Sequence, residues 1–256
     1  MKLHTATLGA GDDLLLLHGW GMNRAIWGAF PDALAERYRV TLVELPGHGE
    51  SGYDPQCTAL KDWAEAVLAV APEQAIWVGW SLGAQVALQA ALTEPKRVVA
   101  LVVLAGTPRF VQGDGWPHAM AQETLKQFAD ALRQDHRQTL ERFLSLQVQG
   151  DREARRMLRT LRQELFSRPE PDPEALENGL DLLRDVDLRQ QLKAIPCPTL
   201  WLLGERDTLT PAAMAEPLAG LQPEAQIEVL PGAAHAPFLS HAGACLQRLD
   251  SLLREQ

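Results

Sequence analysis

The sequence contains few cysteines, no long apolar run and a shortage of basic charge. Its three cysteines, Cys57, Cys197 and Cys245, are scattered, so they form neither a disulfide framework nor a zinc-binding spacing, which favours a reducing compartment. The longest wholly apolar run, Val98 to Ala105, is far shorter than the roughly 20 residues that a membrane span requires. The N-terminal residues lack a signal-peptide pattern, and a net charge of −9 argues against binding to nucleic acid or an anionic membrane. We therefore expect a cytoplasmic globular protein without a metal site.

Short apolar runs alternate with helix-like stretches along most of the 256 residues. Six runs are expected to be strands: Leu14–His18, Val40–Val43, Ala75–Gly79, Val98–Leu104, Leu200–Leu203 and Ile227–Leu230. Continuous apolar strands separated by helices predict an α/β fold, with a mainly parallel sheet and helices on both faces. Residues 108–192 interrupt the alternation with helical patterns alone. We predict that residues 108–192 form an all-helical lid inserted into a core of residues 1–107 and 193–256.

A Gly-Trp-Ser-Leu-Gly motif occupies residues 79–83, after the predicted strand Ala75–Gly79 and before a stretch rich in Ala, Leu and Gln. A Gly-x-Ser-x-Gly sequence can also occur in an ordinary loop. Between a strand and a helix, however, it predicts a nucleophile elbow, in which a strained turn exposes the hydroxyl of Ser81 and the glycines leave room for that turn.

Two further residues that serine chemistry requires each follow a predicted strand later in the chain. They are Asp207 and His235. A serine hydroxyl is a weak nucleophile until a base accepts its proton, and a carboxylate must fix the tautomer of that base. Glu205 is an alternative acid and His241 an alternative base. The chain order Ser81, Asp207, His235 differs from the orders of chymotrypsin and subtilisin.

The residues after the first predicted strand, His-Gly-Trp-Gly at positions 18–21, predict part of an oxyanion hole. Such a hole needs two backbone N–H donors, one from the residue after the nucleophile and one from this loop. We assign these donors to Leu82 and Trp20. We expect His18 to brace the loop by hydrogen bonding and to take no part in proton transfer.

A second glycine motif, Gly-His-Gly-Glu-Ser-Gly at residues 47–52, fits the G-x-G-x-x-G pattern of dinucleotide sites. In such a site a helix begins at the motif and binds the pyrophosphate at its N-terminus. Here Pro46 precedes the motif and Pro55 follows it closely, so no helix is expected there. We predict a glycine-dependent turn and no cofactor.

Together these motifs resemble the α/β-hydrolase superfamily over nearly the whole chain. Within it, the sequence is similar to the pimeloyl-[acyl-carrier protein] methyl ester esterases of biotin synthesis. Four segments carry this closer similarity: WVGWSLG at 77–83, DGWP at 114–117, ERFLSLQ at 141–147 and VDLR at 186–189. The resemblance implies a serine carboxylesterase that hydrolyses the methyl ester of pimeloyl-[acyl-carrier protein] to the acid and methanol.

The resemblance also implies contacts with the substrate and with the carrier protein. The substrate would contact Trp20, Ser81, Leu82, Phe143, Leu144, Ser145, Leu146, Gln147 and His235. Acyl carrier proteins are acidic, and residues 126–168 carry ten Lys and Arg against six Asp and Glu. This basic segment is therefore a candidate docking surface, although a solvated helix face would have the same composition. By the resemblance, Arg142, Arg155 and Arg159 are the docking residues.

Other functions have the same triad. A general short-chain carboxylesterase acting on small esters would have the same three catalytic residues, and so would another serine hydrolase of this fold. A non-catalytic ligand-binding protein on a hydrolase fold is the alternative from a different class. We expect a monomer.

Overall fold

The computed structural model describes residues 1–254, apart from the side chains of residues 160, 161 and 164. Seven strands form one sheet. They are β1 (Thr5–Leu8), β2 (Asp12–Leu17), β3 (Tyr38–Val43), β4 (Ala75–Trp80), β5 (Val98–Leu104), β6 (Thr199–Gly204) and β7 (Gln226–Leu230). Each of the six predicted strands is present, with its ends close to the expected positions.

The strand order across the sheet is β1-β3-β2-β4-β5-β6-β7. Only β1 is antiparallel to its neighbour β3, and the other neighbouring pairs are parallel. The predicted mainly parallel sheet is thus confirmed. Sequence analysis did not predict β1, because its Thr-Ala-Thr-Leu sequence is a partly exposed edge strand and has no apolar run.

Ten α-helices occur among the described residues. They are α1 (Phe30–Ala35), α2 (Leu60–Leu68), α3 (Leu82–Thr93), α4 (Gln122–Gln134), α5 (His136–Leu146), α6 (Arg152–Ser167), α7 (Pro173–Asp185), α8 (Ala215–Leu221), α9 (Pro237–Ser240) and α10 (Ala242–Arg254). None of these helices is long and apolar enough to cross a membrane.

The centre of the sheet is enclosed on both sides. All six residues of β4 and all six of β6 are buried. Alternate side chains of a strand point to opposite faces, so continuous burial requires cover on both faces of the sheet. The carboxyl ends of these parallel strands meet at one edge, where functional loops of this architecture lie.

Helices α4 to α7 lie in the chain between β5 and β6, within residues 108–192, the predicted lid. The backbone enters and leaves this segment side by side, since the N–H of Leu188 donates to the carbonyl oxygen of Pro108 at 2.9 Å. The division into core and lid stays a prediction. The last two residues of the predicted core, 255 and 256, lie outside the described residues.

An ionic cluster at this junction, the neck clasp (Arg109, Asp187 and Arg189), holds the two chain segments together. Arg109 Nη1 donates to Asp187 Oδ2 at 2.7 Å, and Arg189 reaches both oxygens of Asp187, at 2.8 and 2.6 Å. Arg189 also donates to the carbonyl oxygen of Asp114 at 2.8 Å and lies 5.8 Å from the Trp116 ring centre. Segments 114–117 and 186–189, which support the closer resemblance, therefore meet in space.

Candidate active site

Ser81 lies between β4 and α3 in a backbone conformation that L-residues rarely adopt, with φ 56° and ψ −120°. A Cβ at Gly79 would lie 2.5 Å from the Cα of Ala84, and one at Gly83 would lie 2.3 Å from the carbonyl oxygen of Leu17. Only glycine fits at both positions, because the neighbouring backbone would clash with any side chain. The motif therefore has the geometry of a nucleophile elbow.

The side chains of Ser81, His235 and Asp207 form one chain of hydrogen bonds. Ser81 Oγ lies 2.9 Å from His235 Nε2, and His235 Nδ1 lies 2.7 Å from Asp207 Oδ2. A carboxylate only accepts, so Nδ1–H donates to Asp207 and leaves Nε2 to accept the serine proton. All three residues are buried, with 3%, 1% and 5% of their surfaces exposed, respectively. This arrangement can activate a serine hydroxyl as a nucleophile.

Asp207 follows β6 and is held by donors from its own loop. Its Oδ1 accepts from the N–H groups of Leu209 and Thr210, at 2.8 and 3.0 Å. Its Oδ2 accepts from Thr210 Oγ1 at 2.6 Å as well as from His235. A buried carboxylate is costly unless hydrogen bonds compensate it, and these donors do so while they fix its orientation.

The peptide group of His235 is fixed from two sides. Its N–H donates to the carbonyl oxygen of Gln147 at 3.0 Å, at the end of α5. Its carbonyl oxygen accepts from Trp80 Nε1 at 2.7 Å, within β4. The lid and the central sheet therefore both position this histidine.

The alternative acid and base lie elsewhere. Glu205 Oε2 accepts from the N–H of Gly232 at 2.7 Å, so this side chain supports the turn ahead of His235. His241 Nδ1 lies 2.7 Å from Ser240 Oγ, and no hydrogen bond joins His241 to Ser81 among the described residues.

The predicted oxyanion donors flank Ser81. A Cβ at Gly19 would lie 3.1 Å from Ser81 Cβ, which places the 18–21 loop directly against the nucleophile. Leu82 is the first residue of α3, so its N–H has no acceptor within the helix, and the helix dipole favours negative charge there. Neither this N–H nor that of Trp20 donates to a protein acceptor among the described residues. Both remain available to a developing oxyanion.

The indole of Trp20 is held by the lid. Trp20 Nε1 donates to the carbonyl oxygen of Leu176 in α7 at 2.9 Å. One turn along α7, a Cβ at Gly179 would lie 2.6 Å from Trp20 Cδ1, so the helix backbone approaches the ring closely.

His18 braces the 18–21 loop from within, as the sequence predicted. Its Nε2 accepts from the N–H of Leu45 at 3.1 Å, so its Nδ1–H donates to the carbonyl oxygen of Gly19 at 2.8 Å. Burial lowers the pKa of His18 to about 4, and the ring is therefore neutral at physiological pH.

His48 makes a second brace that sequence reasoning missed. Its Nε2 accepts from the N–H of Gly21 at 3.0 Å, and its Nδ1–H donates to the carbonyl oxygen of Pro46 at 2.8 Å. Burial lowers the pKa of His48 to about 3, and the nearby His18 ring, 5.4 Å away between centres, is the second cause of this decrease. The available signal was the Gly-His-Gly sequence within residues 47–52, which predicted a glycine-dependent turn but no role for His48.

The five lid residues that the resemblance assigned to substrate do not share one environment. Phe143 packs edge-on against the Trp20 ring, 4.9 Å between centres, and therefore lies beside the oxyanion loop. Gln147 is also buried at the site, and its Oε1 has no hydrogen-bond partner among the described residues. Ser145 is exposed, and its Oγ donates to the carbonyl oxygen of Glu141 at 2.9 Å.

A cavity of about 890 Å³, the α4–α6 groove, lies on another side of α5, between α4, α5 and α6. Its lining includes Leu144, Ser145, Leu146, Arg142, Arg155, Arg159 and Arg162. Among the described side chains, no ion pair joins Arg142, Arg155 or Arg159 to an acid, whereas Arg162 pairs with Glu141. The groove thus combines an apolar wall with uncompensated positive charge.

One group among the described residues, His4, Glu44 and Glu50, has potential metal ligands within 4.8 Å of one another. Arg24 already lies against both carboxylates, 3.8 Å from Glu44 and 3.4 Å from Glu50. Its guanidinium compensates their charge, so we do not assign a metal here.

The chain is similar to known proteins along nearly its whole length. Residues 14–248 match the model of the Alpha/beta hydrolase family. The chain is 46% identical over 248 residues to a pimeloyl-[acyl-carrier protein] methyl ester esterase of Xanthomonas oryzae pv. oryzae, covering 97% of each chain. It is 44% identical over 247 residues to a protein of the same name from Klebsiella pneumoniae, covering 96% of this chain and 95% of the relative.

Solved structures share the fold at lower sequence identity. An esterase from Exiguobacterium antarcticum superimposes with a TM-score of 0.86 at 23% identity, over 98% of this chain and 95% of the other. A bromoperoxidase from Bacillus anthracis gives a TM-score of 0.89 at 18% identity, with the same coverage. At this identity the likeness concerns the fold alone.

Proposed function

Since this chain belongs to the alpha/beta hydrolase family, and within it to the pimeloyl-[acyl-carrier protein] methyl ester esterases, we propose that it hydrolyses the methyl ester of pimeloyl-[acyl-carrier protein] in biotin synthesis. The products are pimeloyl-[acyl-carrier protein] and methanol, which makes the protein a carboxylic ester hydrolase. The observation that carries this proposal is the unbroken hydrogen-bond chain from Ser81 to Asp207, in a chain that matches these esterases along nearly its whole length.

In this mechanism Ser81 is the nucleophile and His235 the base. Ser81 Oγ attacks the ester carbonyl carbon while His235 Nε2 takes its proton. The tetrahedral intermediate then expels methoxide, which leaves as methanol with that proton, and an acyl-enzyme remains. A water molecule attacks the acyl carbon and gives a proton to His235. The bond to Ser81 Oγ then breaks, His235 returns that proton to Ser81 Oγ, and the acid is released. Throughout, Asp207 stabilises the imidazolium by its hydrogen bond to Nδ1.

We assign the oxyanion contacts to the backbone N–H groups of Trp20 and Leu82. Neither N–H has a protein acceptor within the described part of the chain, which supports this assignment, and so does the position of Leu82 at the start of α3. Donors placed before the reaction stabilise the charge of the transition state without reorganising, and loss of one such donor typically costs about 100- to 1,000-fold in kcat.

The lid is proposed to supply the substrate channel. We place two lid residues beside the reacting ester. Phe143 packs against the Trp20 ring, and the carbonyl oxygen of Gln147 accepts from the N–H of His235. Leu144, Ser145 and Leu146 line the α4–α6 groove instead, and there we place the outer part of the substrate.

The docking surface for the carrier protein is proposed to be the rim of the α4–α6 groove. Arg142 on α5 and Arg155 and Arg159 on α6 converge there without acidic partners among the described side chains. An acidic carrier would supply the missing negative charge. Exposed ion pairs are each worth about 0.2–1 kcal/mol and are screened by salt, so docking should draw on several of them together.

A cytoplasmic monomer is also part of the proposal. The three cysteines are free, as expected in a reducing compartment. Among the described residues the exposed large hydrophobic side chains are Met1, Val99 and Val229, and three such side chains are too few for the broad apolar surface that would call for a second subunit.

The first test compares methyl esters on the purified protein. We expect pimeloyl-[acyl-carrier protein] methyl ester to be hydrolysed with a higher kcat/KM than free methyl esters of any chain length. Ser81→Ala should abolish turnover and labelling by a fluorophosphonate probe while the unfolding midpoint in urea stays near that of the wild type. Equal kcat/KM for carrier-linked and free esters would identify a general short-chain carboxylesterase. If the wild type is folded but is not labelled by the fluorophosphonate probe, the result would favour a non-catalytic binding protein.

The second test reverses charge on one helix. Arg155→Glu with Arg159→Glu should lower kcat/KM for the carrier-linked ester about tenfold at low salt, since two ion pairs become two repulsions. Hydrolysis of p-nitrophenyl butyrate should stay within about twofold, because the triad is untouched. The control is Arg152→Glu with Arg156→Glu, which makes the same change of charge on α6 at residues that do not line the groove. If both pairs of changes have the same effect on the carrier-linked ester, the groove is not the docking surface.

A further inference from the structure

The turn between α5 and α6, residues 147–151, is bonded to the loops that carry the acid and the base. We call this set of contacts the latch: the turn on one side, and Arg206, His235 and Ser240 on the other. Arg206 and Ser240 are both close in sequence to a residue of the triad. Arg206 precedes Asp207, and Ser240 ends the short helix α9 that follows His235.

The first part of the latch acts directly on the base. The N–H of His235 donates to the carbonyl oxygen of Gln147 at 3.0 Å. A carbonyl oxygen of the lid therefore fixes one side of the peptide group of this histidine, so the position of the turn contributes to the position of the imidazole relative to Ser81.

The second part fixes the turn itself. Arg206 Nη1 donates to the carbonyl oxygen of Gly150 at 2.7 Å. The stem of Arg206 packs there too, since a Cβ at Gly150 would lie 3.4 Å from both its Cβ and its Cδ. The N–H of Arg206 also donates to the carbonyl oxygen of Ala233 at 2.9 Å, so one residue connects the turn to the loops of Asp207 and His235.

The third part joins the turn to α9. Ser240 Oγ donates to Asp151 Oδ2, while Asp151 Oδ1 accepts from the N–H of Ala154 at 2.9 Å and caps α6. His241 Nδ1 lies 2.7 Å from Ser240 Oγ. This second Ser-His-Asp group is not a relay, because the serine bonds the carboxylate itself and no imidazole stands between them. Instead, the hydrogen bond from Ser240 holds Asp151, which caps the start of α6.

We propose that Arg206 and Ser240 are positioning residues for ester hydrolysis: by fixing the 147–151 turn, they hold His235 at the distance from Ser81 that proton transfer requires. This inference rests on the proposed roles of Ser81 and His235. The latch also gives the lid a direct mechanical connection to the base, because α5 and α6, which carry the docking arginines, meet at this turn.

The test uses p-nitrophenyl butyrate, which needs no docking. Arg206→Met keeps the aliphatic stem and removes the donors, and Ser240→Ala removes the hydroxyl. We expect each change to lower kcat about three- to tenfold with KM nearly unchanged, since a misplacement of about 1 Å can cost up to 100-fold. Arg206→Lys and Ser240→Thr, which keep a donor, should restore most of kcat. The double variant should lose less than the product of the single losses, because both changes act on one turn.

The matched control is Arg248→Met on α10, an arginine that pairs with Glu228 at 2.7 Å, away from the latch. Its kcat should stay within about twofold of the wild type. Retention of full kcat in both Arg206→Met and Ser240→Ala would overturn the proposal. So would loss of cooperative unfolding in both, because the contacts would then maintain the fold and not the base. If only one variant fails to fold, the other decides. A wild type that cleaves p-nitrophenyl butyrate but not the carrier-linked ester refutes the proposed substrate and leaves this test valid.

Discussion

The two buried histidines that brace the oxyanion loop should make the stability of the protein depend steeply on pH. His18 and His48 are fully buried, and their pKa values fall to about 4 and about 3, below the ordinary value of 6.5. As pH drops below 6.5, the unfolded chain binds a proton at each histidine and the folded chain does not. The stability that depends on keeping both imidazole rings neutral is therefore fully present above about pH 6.5. It is lost as pH falls toward the pKa values of the two histidines in the folded protein.

The size of the effect follows from these pKa values. Each pH unit between about 6.5 and 4 should lower the free energy of unfolding by about 3 kcal/mol for the pair of histidines. From neutral pH to about pH 5 the loss is about 4 kcal/mol, a large part of the 5–15 kcal/mol typical of a domain. Carboxyl groups with ordinary pKa values titrate mostly below this window, so they contribute little to it.

The assay is urea unfolding followed at several pH values between about 7.5 and 5. His48→Gln replaces the imidazole by a neutral amide whose oxygen can still accept from the Gly21 N–H. The variant should be less stable than the wild type at neutral pH, because the donor to the Pro46 carbonyl oxygen is lost. Its stability should, however, fall with pH at about half the wild-type slope.

His118→Gln is the control for this prediction, because His118 is exposed and its removal should leave the slope unchanged. If His48→Gln retains the full wild-type slope, burial does not keep this histidine neutral. The brace would then not explain how the loop of Trp20 is held.

Two other sites give equally direct expectations. Gly179→Ala places a methyl group 2.6 Å from Trp20 Cδ1. It should lower kcat for p-nitrophenyl butyrate by about tenfold as the indole is displaced. Gly220→Ala meets no atom within 4 Å, so this matched change in α8 should spare kcat and raise stability in urea by about 0.5–1 kcal/mol. Asp187→Asn removes the carboxylate that two arginines of the neck clasp share, and should cost about 1 kcal/mol of unfolding free energy after allowance for partial exposure. Asp185→Asn, at a more exposed carboxylate, should cost almost nothing, and equal losses in both would contradict a special role for the clasp.

Features that depend on neighbours in the chain were predictable from the sequence. Apolar runs predicted six strands and the mainly parallel sheet, and the glycines beside Ser81 predicted a strained turn, which agrees with the φ of 56° at Ser81 in the structure. The short edge strand β1 was not predicted, because four residues without an apolar run give no periodic signal. Asp207 and His235 could be selected because serine chemistry needs their functional groups at the ends of strands that share one edge of the sheet.

Only the tertiary structure decided which groups meet across the lid boundary. The resemblance assigned Phe143 and Leu146 to the same substrate, yet α5 turns Phe143 toward Trp20 and Leu146 toward the α4–α6 groove. The role of His48 and the contacts of the latch likewise depend on residues that are distant in sequence. A turn or a strand is fixed by steric and hydrophobic preferences within a few residues, so its signal is local. A hydrogen bond between distant loops forms only after whole elements have packed, and no short stretch of sequence records that packing.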